Sequence, residues 1–173
     1  MKHSKIELAT EFDDEGMPTR YETFITRLSI PFSLVYECVS FLASLKDNPD
    51  NDELHVMIDI VVRVFDNQFT KNQLIDGLPS YSATHELYKQ VVFIGSGQNL
   101  DDEVEPDVNV QSTSVNGWLD HKENLKRTIQ KMVKDGEQSY NDVLGIPFYL
   151  VFDDLNTKAK AERKSSMLSA FGQ

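Results

Sequence analysis

Between Asp52 and Pro79 apolar and polar residues alternate with a helical period, and this stretch frames the rest of the chain. Leu54, Met57, Ile58, Val61, Val62 and Phe65 fall at i, i+3, i+4, i+7, i+8 and i+11, the spacing of one apolar helix face. Val56, Ile60 and Val64 add a second row, so apolar side chains span roughly 240° at about 100° per residue. His55, Asp59, Arg63 and Asp66 fill the remaining arc. An apolar arc that wide predicts cover on two sides, by the chain's own elements and by a neighbouring subunit. Asn67 and Gln68 then break the period. Thr70 is suited to cap the next helix, and Asn72–Gly77 predicts that helix to be short and to end on glycine.

Upstream, Ile6, Leu8 and Phe12 alternate with polar residues, and Tyr21, Phe24, Ile25 and Leu28 come after a polar turn carrying Gly16 and Pro18. This pattern predicts a β-hairpin, which must pack on helices because two strands alone are marginal. Pro31 suits a first helical position, and Val35, Cys38, Val39, Leu42 and Leu45 form the face of a helix. Pro49 ends it by disfavouring helix at Asn48. Leu87, Tyr88, Val91 and Val92 predict another helix over 81–94, stopped by Gly95-Ser96-Gly97.

Residues 98–117 predict an acidic linker, with Asp101, Asp102, Glu103, Glu105 and Asp107 around Pro106. The cluster lacks the glycine and the closing glutamate of an EF-hand loop, so a solvated linker is the better reading. From Trp118, read as a packing residue, Leu119, Leu125, Ile129, Met132 and Val133 predict an amphipathic helix ending at Gly136. Its outer face carries Lys122, Lys126, Lys131 and Lys134. A short turn or helix around Tyr140–Leu144 comes next. Pro147 then suits the start of a final apolar helix through Leu155, ahead of a basic tail. The expected fold is mainly α with a small N-terminal β-hairpin, an α+β arrangement. Three parts are expected: a helical domain over 1–97, the linker over 98–117, and a small helical region over 118–173.

Composition narrows the function classes. The net charge is −11, and it is uneven. Residues 1–115 hold 8 Lys+Arg against 20 Asp+Glu, a net of −12, while residues 116–173 hold 9 against 8, a net of +1. Nucleic-acid binding through phosphates needs clustered cations, so none is expected. No apolar run approaches the ~18 residues of a membrane span. A lone cysteine, Cys38, forms no intramolecular disulfide and fits a reducing compartment, so a cytosolic protein is expected.

No catalytic constellation is visible. His3, His55, His85 and His121 show no metal-ligand spacing, so no metal and no cofactor are expected. Cys38 lies on an apolar helix face without a nearby histidine, which makes it a buried thiol rather than a nucleophile. Asp153 and Asp154 are adjacent, so a helix would aim them about 100° apart. No phosphate-binding glycine loop is present.

Val61 to Leu78, read as VVRVFDNQFTKNQLIDGL, resembles the central motif of tail assembly chaperones from long-tailed phages and prophages of Gram-positive hosts. Members occur as G-type proteins, which also open with paired strands, and as longer G-T forms made by ribosomal frameshifting. Ile146-Pro147-Phe148-Tyr149-Leu150-Val151-Phe152 and the later Leu168–Gly172 are similar to the T extension. The resemblance implies a non-enzymatic chaperone in the host bacterial cytoplasm, absent from the mature virion. Region 1–97 would coat the tape measure protein, region 118–173 would recruit the major tail tube protein, and copies would assemble as a ring or spiral. Exposed apolar groups would be the working surface, with Val56, Ile60, Val64, Phe65, Phe69, Phe148, Tyr149, Phe152 and Leu155 as its candidate residues. The acidic balance also suits an interaction protein of another kind, such as a DNA mimic or a host-factor inhibitor.

Overall fold

The computed structural model describes residues 3–27, 29–46, 49–97, 115–136 and 138–151. Its elements in order are β1 (Lys5–Phe12), β2 (Pro18–Ile25), α1 (Phe32–Leu42), α2 (Asn51–Val64), α3 (Lys71–Gly77), α4 (Ala83–Ser96), α5 (Val115–Gly136) and α6 (Tyr140–Gly145). This is the expected α+β arrangement, mostly helical with one antiparallel hairpin.

Local chemistry sets most boundaries. α2 starts on a reciprocal cap: the Glu53 N–H donates to Asp50 at 3.0 Å, and the Asp50 N–H donates to the Glu53 carboxylate at 2.9 Å. It stops where Asp66 and Asn67 take φ values of 59° and 56°, a left-handed pair that these two residue types tolerate better than most. Thr70 and Gln73 repeat the same device at α3, and Ser139 and Asp142 at α6. Gly97 closes α4 at φ 72°.

α4 lies against both α1 and α2, while α3 joins α2 to β1. Most of the wide apolar arc of α2 is therefore covered within the chain. Met57, Ile58, Ile60, Val61, Val62 and Val64 are all buried. Ile6 and Leu8 of β1 enter the same core, which also holds Phe32, Val39, Phe65 and Val91. Burying each such side chain contributes roughly 1.5–3 kcal/mol.

Beyond residue 114 the chain returns to this core. α5 and α6 both pack on α1, and Trp118, Leu125, Ile129, Val143 and Val151 belong to the same hydrophobic cluster as the first four helices. His121 Nε2 sits 3.0 Å from the Gly95 carbonyl oxygen. Pro147 and Pro31 form an antiparallel bridge, secured by Phe32 N–H to the Ile146 carbonyl and Phe148 N–H to the Ile30 carbonyl, each at 2.9 Å.

Three expectations are corrected. α5 begins at Val115, inside the stretch read as linker. Leu119, expected on the packed face of α5, is exposed, since Trp118 and Leu125 turn inward and Leu119 is rotated from Trp118 by about 100°. Pro147 is bridged to Pro31, and helix starts only at Phe148. The remaining linker residues, Leu28 of the hairpin exit, and the chain after Val151 lie outside the described residues.

Candidate partner-binding surface

The motif Val61–Leu78 is a docking platform for the hairpin. Phe65 packs on Phe69 with ring centroids 5.3 Å apart, and Phe69 meets Phe24 of β2 edge-on at 5.0 Å. Gln68 Nε2 donates to the Ile25 carbonyl at 2.8 Å, and Arg27 reaches Asp66 at 3.0 Å. Gly77, the last residue of α3, touches the backbone of Ala9. The order of residues in the motif thus traces the path of one turn wrapped around two strands.

Burial divides the expected partner residues. Ile60, Val64, Phe65 and Phe69 are core, with Ile60 and Phe65 at 0% exposure, so they offer no open contact in this fold. The physical reason is that α3 and α4, with the hairpin at Phe69, supply the second layer that the sequence pattern assigns to a neighbouring subunit. Val56 alone of the second row remains open, at 41%. Phe148 is half-buried and engaged by Phe32, with ring centroids 5.4 Å apart. Tyr149 is exposed at 38%, and Leu150 beside it is open too. Phe152 and Leu155 lie outside the described residues.

Open apolar groups that the sequence did not assign to a partner surface include four on the hairpin, Phe12, Met17, Tyr21 and Ile25, besides Ile75, Tyr81 and Tyr140 elsewhere. The signal of the hairpin groups was present, because both faces of β2 carry large apolar residues and a two-stranded sheet has only one face to bury. Phe12, Phe24, Phe69, Gln68, Gln73 and Asp76 also line a groove of about 340 Å³ between the hairpin and α3. A second cavity of about 420 Å³ lies between β1 and the start of α4, lined by Lys5, Glu7, Thr23, Pro79 and Glu86 among others.

Charged groups among the described residues secure the helices. Arg63 forks onto Glu37 with contacts of 2.7 and 2.8 Å, tying α2 to α1. Lys71 reaches Asp59 at 2.7 Å, and its hydrogen bond holds the Asp59 carboxyl below the usual carboxylate range. Burial, aided by the Glu37 charge, pushes the Cys38 thiol well above its ordinary value, which leaves it unreactive. Among the described residues no group of His, Cys, Asp and Glu side chains is arranged to hold a metal ion. No described helix is long and apolar enough to cross a membrane.

Residues 1–110 match a family model described as phage tail chaperone protein. No curated protein and no solved structure matches the chain.

Proposed function

The chain belongs to the phage tail chaperone family, and from that premise we propose that it is a non-enzymatic assembly factor acting in the host cytoplasm while the tail is built. In this role it coats the tape measure protein, recruits major tail tube subunits, and is absent from the finished virion. The observation that carries the proposal is the family match over residues 1–110, which spans the hairpin, the motif that docks it and α4.

Region 1–97 takes the tape measure protein. The groove lined by Phe12, Phe24 and Phe69 suits one anchoring side chain of an amphipathic helix, and apolar surface covered in this way is withheld from aggregation. Region 118–173 takes the tube protein through Tyr149, Phe152 and Leu155, because aromatic anchors dominate interface energies. Tube subunits then displace the chaperone as they bury the same surface. The second region fits the G-T form made by frameshifting, which a slippery heptamer in the gene near the codons for 95–99 would mark.

Co-purification of the full chain with each tail protein tests this division. Phe12→Asp should weaken capture of the tape measure protein and leave tube capture intact. Tyr149→Ala with Phe152→Ala should do the reverse. Loss of both partners in either variant, or of neither, would overturn the assignment.

A further inference from the structure

The two edges of the hairpin are treated differently. The outer edge of β1 is closed by helices: a Cβ added to Gly77 would stand 2.9 Å from the Ala9 carbonyl oxygen, and Gln90 Nε2 donates to the Lys5 carbonyl at 3.0 Å. The outer edge of β2 is open. The Thr26 N–H donates to the Ser4 carbonyl at 3.0 Å, and antiparallel alternation from that bond turns the backbone groups of Phe24 and Glu22 toward β1. Those of Ile25, Thr23 and Tyr21 therefore point away. Gln68 caps the Ile25 carbonyl and closes that end. Among the described residues no side chain caps Thr23 or Tyr21 on this side. An uncapped, exposed strand edge is a template for another strand.

We propose that this edge pairs with the same edge of a second copy, antiparallel and two-fold symmetric about Tyr21. Charge selects both the occupant and the register. Outward-facing residues must oppose one another, so available registers differ by steps of two. With Tyr21 opposite Tyr21, Arg20 of each copy faces Glu22 of the other, twice. The register on one side sets Arg20 against Arg20, and the register on the other sets Glu22 against Glu22. Centring on Thr23 would run the pairing into the capped Ile25 carbonyl. Like charges directly opposed disfavour a ladder, and opposite charges favour it.

Tyr21, 49% exposed, meets its own copy on the other face of the extended sheet, where an aromatic pair gains contact area. Arg20 already touches Glu11 at 2.9 Å, with both side chains well exposed, and its guanidinium keeps further donors for a second carboxylate. The contact is isologous, so it closes on two copies and leaves the rest of each molecule free.

Oxidative cross-linking of the full chain tests the register, since Cys38 is buried and takes no part. In the proposed pairing, residue 21 lies about 5.5 Å from its twin between Cα atoms, within disulfide range. Residue 23 lies four positions from its twin, on the order of 13 Å along the strand. Tyr21→Cys should therefore give a covalent dimer at least about tenfold faster than Thr23→Cys, a ratio equivalent to ~1.4 kcal/mol. Within Tyr21→Cys, adding Arg20→Glu or Glu22→Arg should slow the reaction, and adding both should restore it, because the charges are then exchanged. Restoration would occur although the carboxylate introduced at position 20 still faces Glu11 in its own chain. Equal or faster linking of Thr23→Cys, no linking of Tyr21→Cys, or a double exchange no better than the single changes would each overturn the proposal.

Discussion

Phe148 and Phe32 pack as a tilted pair with ring centroids 5.4 Å apart, and their backbones are tied by a pair of hydrogen bonds on either side of the Pro31–Pro147 bridge. More than a hundred residues of sequence separate the two rings. Phe32 is fully buried, so the contact closes one end of the core that α1 shares with α5 and α6. A residue expected to face a partner is in this fold part of a clasp between the entry to α1 and the segment that follows α6.

The clasp predicts a stability effect at a distance from any partner surface. Phe148→Ala should lower unfolding free energy by about 1–3 kcal/mol, less than the full cost of a buried Phe→Ala change because the ring is half-buried. A chain ending at Gly97 should keep a helical spectrum but melt at least ~5 °C lower, since it uncovers the face that Trp118 and Ile129 occupy. Calorimetry on the three proteins decides this, and equal midpoints would show that the clasp contributes nothing.

Two glycines give a contrast. A Cβ on Gly77 meets the Ala9 carbonyl oxygen and the Leu8 Cβ, each at 2.9 Å, and backbone cannot step aside. A Cβ on Gly95 meets the ends of the Leu42 and Trp118 side chains at 3.2 Å, and those can shift. Gly77→Ala should therefore cost about 1–3 kcal/mol, and Gly95→Ala clearly less, in urea unfolding. The reverse order would mean that α3 does not seat the hairpin through its glycine.

Position on α2 separates core from surface. Ile60→Asp buries an unpaired charge at a site with no exposure and should cost more than ~4 kcal/mol, enough to prevent folding. Val56→Asp, one turn earlier and 41% exposed, should stay within about 0.5 kcal/mol of the parent. Circular dichroism and a thermal melt read both. A folded Ile60→Asp would mean that α3 and α4 do not cover α2.

Asp59 gives a pH dependence whose sign comes from its hydrogen bond to Lys71. Its folded pKa lies below the unfolded value of ~3.9, so the stabilisation is present above that value and fades as pH falls through the folded pKa. The side chain is 41% exposed, which limits the effect to about 0.5 kcal/mol or less. Asp59→Asn should melt slightly below the parent at pH 7, and the two should converge as pH falls through the lowered folded pKa. A gap that persists in acid would assign the effect to something other than ionisation.

Much of the chain was legible as sequence because its signals are local. The period of α2, the Thr70 cap, the turn with Gly16 and Pro18 and the αL stop at Gly97 each depend on residues within a few positions of one another. The family motif was legible for the same reason, being one helix, one turn and one short helix in unbroken order. What local pattern carries is which side chains avoid water, not what covers them. A wide apolar arc reads alike whether α4 or another subunit lies on it, so Ile60, Val64, Phe65 and Phe69 became core only when α3, α4 and the hairpin folded onto them. The hairpin shows the converse. Alternation located its strands, but tertiary packing decided that Gly77 and Gln90 close the β1 edge while the β2 edge stays open. That choice rests on contacts between residues some seventy to eighty-five positions apart, a separation at which no local periodicity survives.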